Sequence, residues 1–381
     1  MNDPIYLDYN ATTPVDPAVA DAIEPYLREQ FGNPSSSHVY GRQAHAAVER
    51  ARAQIAALIS AQTGEIIFTG CATEANNLAI RGVARSLREK GRHIITSAVE
   101  HPAVTKPCER LQEDGWEVSV IPVDHYGRVD PSEIANAMRD DTVLVSIMHA
   151  NNEVGTLQPI EEIAALTRRH GVLLHTDAAQ SAGKIPANVD QLGVDLLTLA
   201  GHKFYATKGV GALYVRQGTP VQPVLVGAGH EQGLRPGTEN VPAIVGFGKA
   251  AELAMERGGE DAAYMLELRE QLHGLLAQGV PGLMLNGHPS LRLPNTLNLS
   301  FPGVDGRELL LQVADTIAAS VGSACHEEGA AVSGVLGAMG IESERARGSV
   351  RLSVGHPTSQ TDIERAAIHL VEAWKELSRQ A

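Results

Sequence analysis

The sequence predicts an α/β protein: a mostly parallel seven-stranded sheet with helices on both faces, joined to a smaller α+β domain. Three observations predict it. From about residue 64, short apolar runs alternate with longer amphipathic stretches, as strand–helix repeats do. After roughly residue 252 that alternation stops and the strands become isolated. The 381 residues also exceed what one hydrophobic core usually serves, so two domains are expected. The expected division is a large domain over 15–252 and a small one built from 1–14 and 253–381.

The strand candidates of the large domain are Glu65–Thr69, His93–Ser97, Glu117–Val123, Thr142–His149, Gly171–Thr176, Val194–Leu199 and Gly211–Arg216. Helical patterns fill most of the gaps, for example Glu74–Glu89 and Ile160–His170, each closed by a basic residue and a glycine. A long helix over Asp261–Gln278 then precedes strands at Leu283–Asn286 and Thr296–Phe301. A helix near Gly306–Val313, a segment around Cys325, a strand Val350–Val354 and a final helix near Thr361–Arg379 complete the chain. Two glycine-rich places are candidates for the join, Gly227–Gly237 and the pair Gly258-Gly259.

Composition narrows the function. Hydrophobic residues make up 43% and charged residues 20%, as in ordinary globular proteins. A formal charge of −14 argues against direct binding to nucleic acid or an anionic membrane, which need concentrated positive charge. The three cysteines, Cys71, Cys108 and Cys325, form neither a disulfide framework nor a zinc-ligand spacing, so no metal is expected. With no signal-like start and no apolar run of membrane-spanning length, the expected location is the cytoplasm.

In parallel sheets ligands bind at the carboxyl ends of the strands, and there the unusual residues gather. Lys203 follows the apolar run Val194–Leu199, where a core would exclude a lysine unless its amine is used chemically. Asp177 ends the neighbouring run. Alone it reads as a helix N-cap, but an acid and a lysine on adjacent strand ends fit pyridoxal phosphate. The aldehyde of that cofactor condenses with a lysine, and its ring nitrogen needs an acidic partner. The turn Thr69-Gly70-Cys71-Ala72-Thr73-Glu74 offers a helix start, and Thr73 a hydroxyl, for the phosphate, with His202 a further donor. The same turn could be a simple capping box.

His101 lies just past a strand, where its ring could stack on the cofactor and move protons. Asn151 could reach the cofactor's phenolic oxygen or a substrate carboxylate, or serve only a turn. Cys325, in Gly322-Ser323-Ala324-Cys325-His326, reads as the exposed, reactive thiol on a mobile loop, whereas Cys71 and Cys108 read as inert. Arg351, flanked by apolar residues, suits bidentate binding of a carboxylate.

With these residues the sequence resembles the cysteine desulfurases, in the class V aminotransferase group of fold-type I pyridoxal phosphate enzymes. The resemblance runs from Tyr6-Leu7-Asp8-Tyr9-Asn10-Ala11-Thr12-Thr13 to the final helix. Its specific motifs are Ala-Thr-Glu at 72–74, Glu-His at 100–101, Asn-Asn-Glu at 151–153, Asp-Ala-Ala-Gln at 177–180, Gly-His-Lys at 201–203, Arg-Pro-Gly-Thr-Glu-Asn at 235–240 and Gly-Ser-Ala-Cys at 322–325. It implies that Lys203 links to the cofactor, Asp177 pairs with the ring nitrogen, Gln180 bonds the phenolic oxygen and His101 stacks on the ring. Ala72, Thr73 and His202 would hold the phosphate, joined by Thr238 from the other subunit of a homodimer. Asn151 and Arg351 would receive the carboxylate of L-cysteine, and Cys325 would take its sulfur as a persulfide for an acceptor protein.

Ala200 stands where the family often has serine, Cys71 where a glycine or small residue is usual, and Ala206-Thr207 where Gly-Pro is common. His326 after Cys325 is similar to selenocysteine lyases and to the desulfurases of DNA phosphorothioation. Iron–sulfur cluster assembly, tRNA thiolation and DNA phosphorothioation are therefore all open as destinations for the sulfur. Selenocysteine lyase is the alternative within the class, and a non-catalytic docking scaffold the alternative outside it.

Overall fold

The structure is a computed structural model that describes residues 4–321 and 333–379, so Cys325 lies outside the described residues. Among the described residues twelve strands are formed: β1 (Ile5–Tyr6), β2 (Ile66–Thr69), β3 (His93–Ser97), β4 (Glu117–Ile121), β5 (Thr142–Ser146), β6 (Leu173–Asp177), β7 (Leu196–Ala200), β8 (Gly211–Val215), β9 (Met284–Asn286), β10 (Thr296–Ser300), β11 (Ile317–Ala318) and β12 (Ser349–Ser353). Seven of them make one sheet in the order β2-β8-β7-β6-β5-β3-β4. Every pair from β7 to β4 is parallel, and only β8 runs against its two neighbours.

The apolar runs are continuous because both faces of this sheet are covered. Successive side chains of a strand point to opposite faces, so neighbours enter different cores. Ile66 and Phe68 pack with the helices Val39–Leu58 and Val241–Gly279, while Ile67 packs with the helix Ala72–Leu87. The same division separates Ile95 from Ile94, Leu197 from Leu196, and Tyr214 from Leu213.

A further core gathers Ile5 and Leu7 with Leu297, Leu299, Val350, Leu352 and the inner faces of the helix Gln360–Leu377 and the C-terminal half of Val241–Gly279. Its sheet is antiparallel, in the order β12-β10-β9, and β1 pairs with β11 beside it.

One helix differs from the sequence-based expectation. The helix expected from Asp261 begins at Val241 and runs unbroken through Gly258-Gly259 to Gly279. Nothing packs within 4 Å of a Cβ built on either glycine. Each costs a helix about 1 kcal/mol relative to alanine. Packing of Phe247 and Ala251 in one core and of Leu268 and Leu272 in the other offsets that cost. The glycine pair is therefore a stretch of helix bridging two cores and not a break.

Candidate active site

β6 ends on Asp177. β7 ends on Ala200 and tightens at once into the turn Gly201–Lys203. Parallel pairing of β6 with β7 brings these ends together, and the helix Ala72–Leu87 opens alongside them. A cavity of about 330 Å³ results, lined by Asp177, Lys203, His101, Thr73, His202 and Arg351 among others. Ala72 and Gln180 line it too, so most of the sequence-predicted residues converge on one site.

Lys203 Nζ donates to the carbonyl oxygens of Asn10, at 2.6 Å, and Ala11, at 2.8 Å. Burial, reinforced by the Arg351 cation, lowers its pKa to about 8. Such an amine is free base often enough at neutral pH to act as a nucleophile. Asp177 is buried, and its two oxygens accept from Asn76 Nδ2 at 2.7 Å and from the Ala179 amide at 2.9 Å. Donors on both oxygens hold the carboxyl group in place at the end of β6.

The helix Ala72–Leu87 starts without a side-chain cap, because its N-cap Cys71 makes no hydrogen bond to the first turn. Its positive end is presented to the cavity, where an anion would supply the missing acceptor. The approach is tight: a Cβ on Gly211 at the start of β8 would lie 2.8 Å from the Cys71 carbonyl carbon and 3.0 Å from the Ala72 nitrogen. His202 binds Thr12 Oγ1 through Nδ1 at 3.1 Å, and burial with the charges of Lys203, Lys208 and Lys184 lowers its pKa to about 4. It is thus a neutral hydrogen-bonding ring. An uncapped helix end opening on this cavity suits a phosphate, and Lys203 with Asp177 on adjacent strand ends suits the rest of pyridoxal phosphate.

His101 is the N-cap of the helix Pro102–Glu113, its Nδ1 accepting from the Ala103 amide at 3.0 Å. That bond keeps Nδ1 unprotonated, so a neutral ring carries its proton on Nε2. Behind it Glu100 is buried, accepting from Ser97 Oγ and the Met148 amide, and burial raises its pKa to about 8.

Asn151, expected at the substrate or cofactor, does not line the cavity. It is completely buried, with Nδ2 donating to Val99 O at 3.0 Å and Oδ1 accepting from the Glu153 and Val154 amides. Its side chain is spent on shaping its own turn. Asn152 lines the cavity in its place. Arg351 is buried on β12, donating through Nη1 to Asn152 O at 3.0 Å and through Nη2 to Asp8 Oδ1 at 2.8 Å. Its Nε has no partner among the described residues.

Thr238 is exposed and does not line this cavity. Its loop is held by Arg235, whose Nε pairs with Glu74 at 2.9 Å, and by a buried pair between Glu231 and Arg52 at 2.7 Å. Cys71 differs from expectation in being exposed, at the edge of the cavity. Cys108 is buried, and burial pushes its thiol up to about 12.

Sequence reasoning did not find the roles of Asn10, Asp8, Asn76 and Lys184. Asn10 is the hub, its carbonyl accepting from both Lys203 and Gln180. Only the short polar stretch Asp8-Tyr9-Asn10-Ala11-Thr12-Thr13 pointed there, with no periodicity to orient it.

Among the described residues no group of histidine, cysteine, aspartate and glutamate could hold a metal ion, and no helix is long and apolar enough to cross a membrane.

The family model for aminotransferase class-V matches residues 5–366. A protein named cysteine desulfurase IscS from Dictyoglomus turgidum is 47% identical over 95% of this chain and 92% of its own length. A solved NifS-like protein superposes with a TM-score of 0.91 at 37% identity, covering 98% of this chain and 99% of its own. SspA in complex with cysteine superposes with a TM-score of 0.83 at 35% identity, covering 92% and 99%.

Proposed function

This chain belongs to the class-V aminotransferase family and is a pyridoxal phosphate-dependent cysteine desulfurase acting on L-cysteine, and from that premise we propose how its residues divide the work. Bound pyridoxal phosphate supplies an electrophilic carbon and a ring that takes up the electron pair left when a proton leaves Cα. Lys203 would carry the cofactor and, as a free amine, would take and return the Cα proton. The negative charge of Asp177 keeps the ring nitrogen protonated. Gln180 donates to the phenolic oxygen. The amides of Ala72 and Thr73, the Thr73 hydroxyl and His202 hold the phosphate. His101 covers the ring. Arg351 and Asn152 receive the substrate carboxylate.

Cys325 as its thiolate attacks the substrate sulfur. A sulfur–sulfur bond forms, the carbon–sulfur bond breaks, and its electron pair stays on the carbon that becomes the alanine methyl. The persulfide then passes to an acceptor protein. We place the dimer contact at the loop of Thr238, the domain division at residues 15–252 against the remainder, and the work in the cytoplasm, where free thiols survive.

The convergence of Lys203, Asp177, Arg351 and an uncapped helix end on one cavity carries this reading. Purified chain should bind pyridoxal phosphate with yellow absorbance and turn L-cysteine into L-alanine. Cys325→Ser should bind both yet release no sulfide. After a pulse of cysteine, mass spectrometry should find the extra sulfur on the Cys325 peptide. Finding it mainly on Cys71 would overturn the role of Cys325.

A further inference from the structure

Lys184 lies one turn beyond Gln180 and is buried, with about 6% of its surface exposed. A buried lysine is normally paired with a carboxylate, yet among the described residues no acid pairs with it. Instead Nζ donates twice to a single residue, at 3.1 Å to Gln180 O and 3.2 Å to Gln180 Oε1. From the other end of the same amide, Gln180 Nε2 donates at 2.9 Å to Asn10 O, the carbonyl that also accepts from Lys203 at 2.6 Å. Burial, with the charges of Lys203 and Arg351, lowers the Lys184 pKa to about 7. Two N–H groups for two acceptors are all that its neutral amine needs.

The two ends of a glutamine amide have nearly the same shape, so only their partners decide which way it faces. Lys184 Nζ donates to Oε1 on one side and Asn10 O can only accept on the other, which together direct Oε1 to Lys184 and leave Nε2 on the cavity side. We propose that Lys184 is a positioning residue that locks the Gln180 amide so that an N–H, and not a carbonyl oxygen, faces the cofactor's phenolic oxygen. The inference rests on the role given to Gln180 above. Turned the other way, the amide would set an acceptor against an oxygen anion.

The test reads the bound cofactor and not turnover. A donor at the phenolic oxygen favours its anion and eases loss of the proton shared with the link to Lys203. Removing the donor therefore raises the pH midpoint of the holoenzyme's absorbance change. Gln180→Ala should raise it by about one unit, the scale of a hydrogen bond to a charged group. Lys184→Met, similar in length but unable to donate, should raise it by at least half as much. In the Gln180→Ala background, Lys184→Met should add nothing further, since the two act as one unit. Lys184→Gln, a shorter neutral donor, stands in if Lys184→Met does not load cofactor.

An unmoved midpoint in the Lys184 variant overturns the inference. So does an equal rise in the Gln180→Ala background, which would mean that only charge is felt. So does failure of both Lys184 variants to load while Gln180→Ala loads, since the lysine would then serve the fold. An unmoved midpoint in Gln180→Ala alone overturns the reading of Gln180, and that of Lys184 with it.

Discussion

Two asparagines in sequence have opposite duties because one turn faces two ways. Asn151 spends both ends of its amide on Val99, Glu153 and Val154, whereas Asn152 lines the cavity. Asn151→Ala should therefore cost stability, on the order of 2–4 kcal/mol by denaturant unfolding, for the backbone groups it leaves unpaired. Asn152→Ala should leave stability nearly unchanged and raise KM for L-cysteine about tenfold, the worth of one hydrogen bond to a charged group. The reverse pattern would return Asn151 to the substrate. Lys203 carries a pH signature. Its amine is lowered to about 8 by burial first and Arg351 second, and only the neutral amine attacks. The rate at which apo-protein takes up pyridoxal phosphate should rise about fivefold from pH 7 to 8 and less than twofold from 8 to 9. A tenfold rise per unit continuing to pH 10 would mean an ordinary lysine.

At the scale of elements, the phosphate end of the site is made by three pieces pressed together. β2 ends, the helix Ala72–Leu87 begins, and β8 starts beside them at Gly211. The atoms that a side chain on Gly211 would meet are backbone and cannot swing aside. Gly211→Ala should cost about 1–3 kcal/mol of stability, as overpacking does. It should also weaken retention of pyridoxal phosphate more than of pyridoxal, because the displaced helix start faces the phosphate. Equal loss for both ligands, measured by equilibrium dialysis, would separate this turn from phosphate binding.

At the scale of the molecule, the loop of Thr238 is built outward from its own site. Glu231 and Gln232 hold left-handed backbone, with φ of 46° and 57°, costing of order 1 kcal/mol or more each. The buried Glu231–Arg52 pair, which also takes the Phe68 amide at 2.7 Å, over-determines that conformation. The loop is thus held with Thr238 exposed, where a second subunit could receive it. Mixing a Lys203→Ala chain with a Thr238→Ala chain should restore activity through hybrid dimers with one intact site. No restoration, with hybrids verified by mass, would mean that each chain completes its own cavity.

What the sequence determined by itself follows from local physics. Continuous apolar runs separated by amphipathic stretches required a sheet covered on both faces, and the run before Lys203 marked a strand end. Asp177, Lys203, Thr73 and His101 were legible because each follows a strand whose carboxyl end must open on the same edge. The bridging of Gly258-Gly259 was not legible, since helix propensity disfavours glycine and only packing at both ends of the helix overrides it. Nor was the choice between Asn151 and Asn152, which depends on how one turn is rotated. Asn10, Asp8 and Lys184 act through contacts with residues remote in sequence or through a buried amide, and no periodicity encodes such contacts. Tertiary structure alone decided them, because the direction of a buried hydrogen bond is set by where the rest of the chain places its partner.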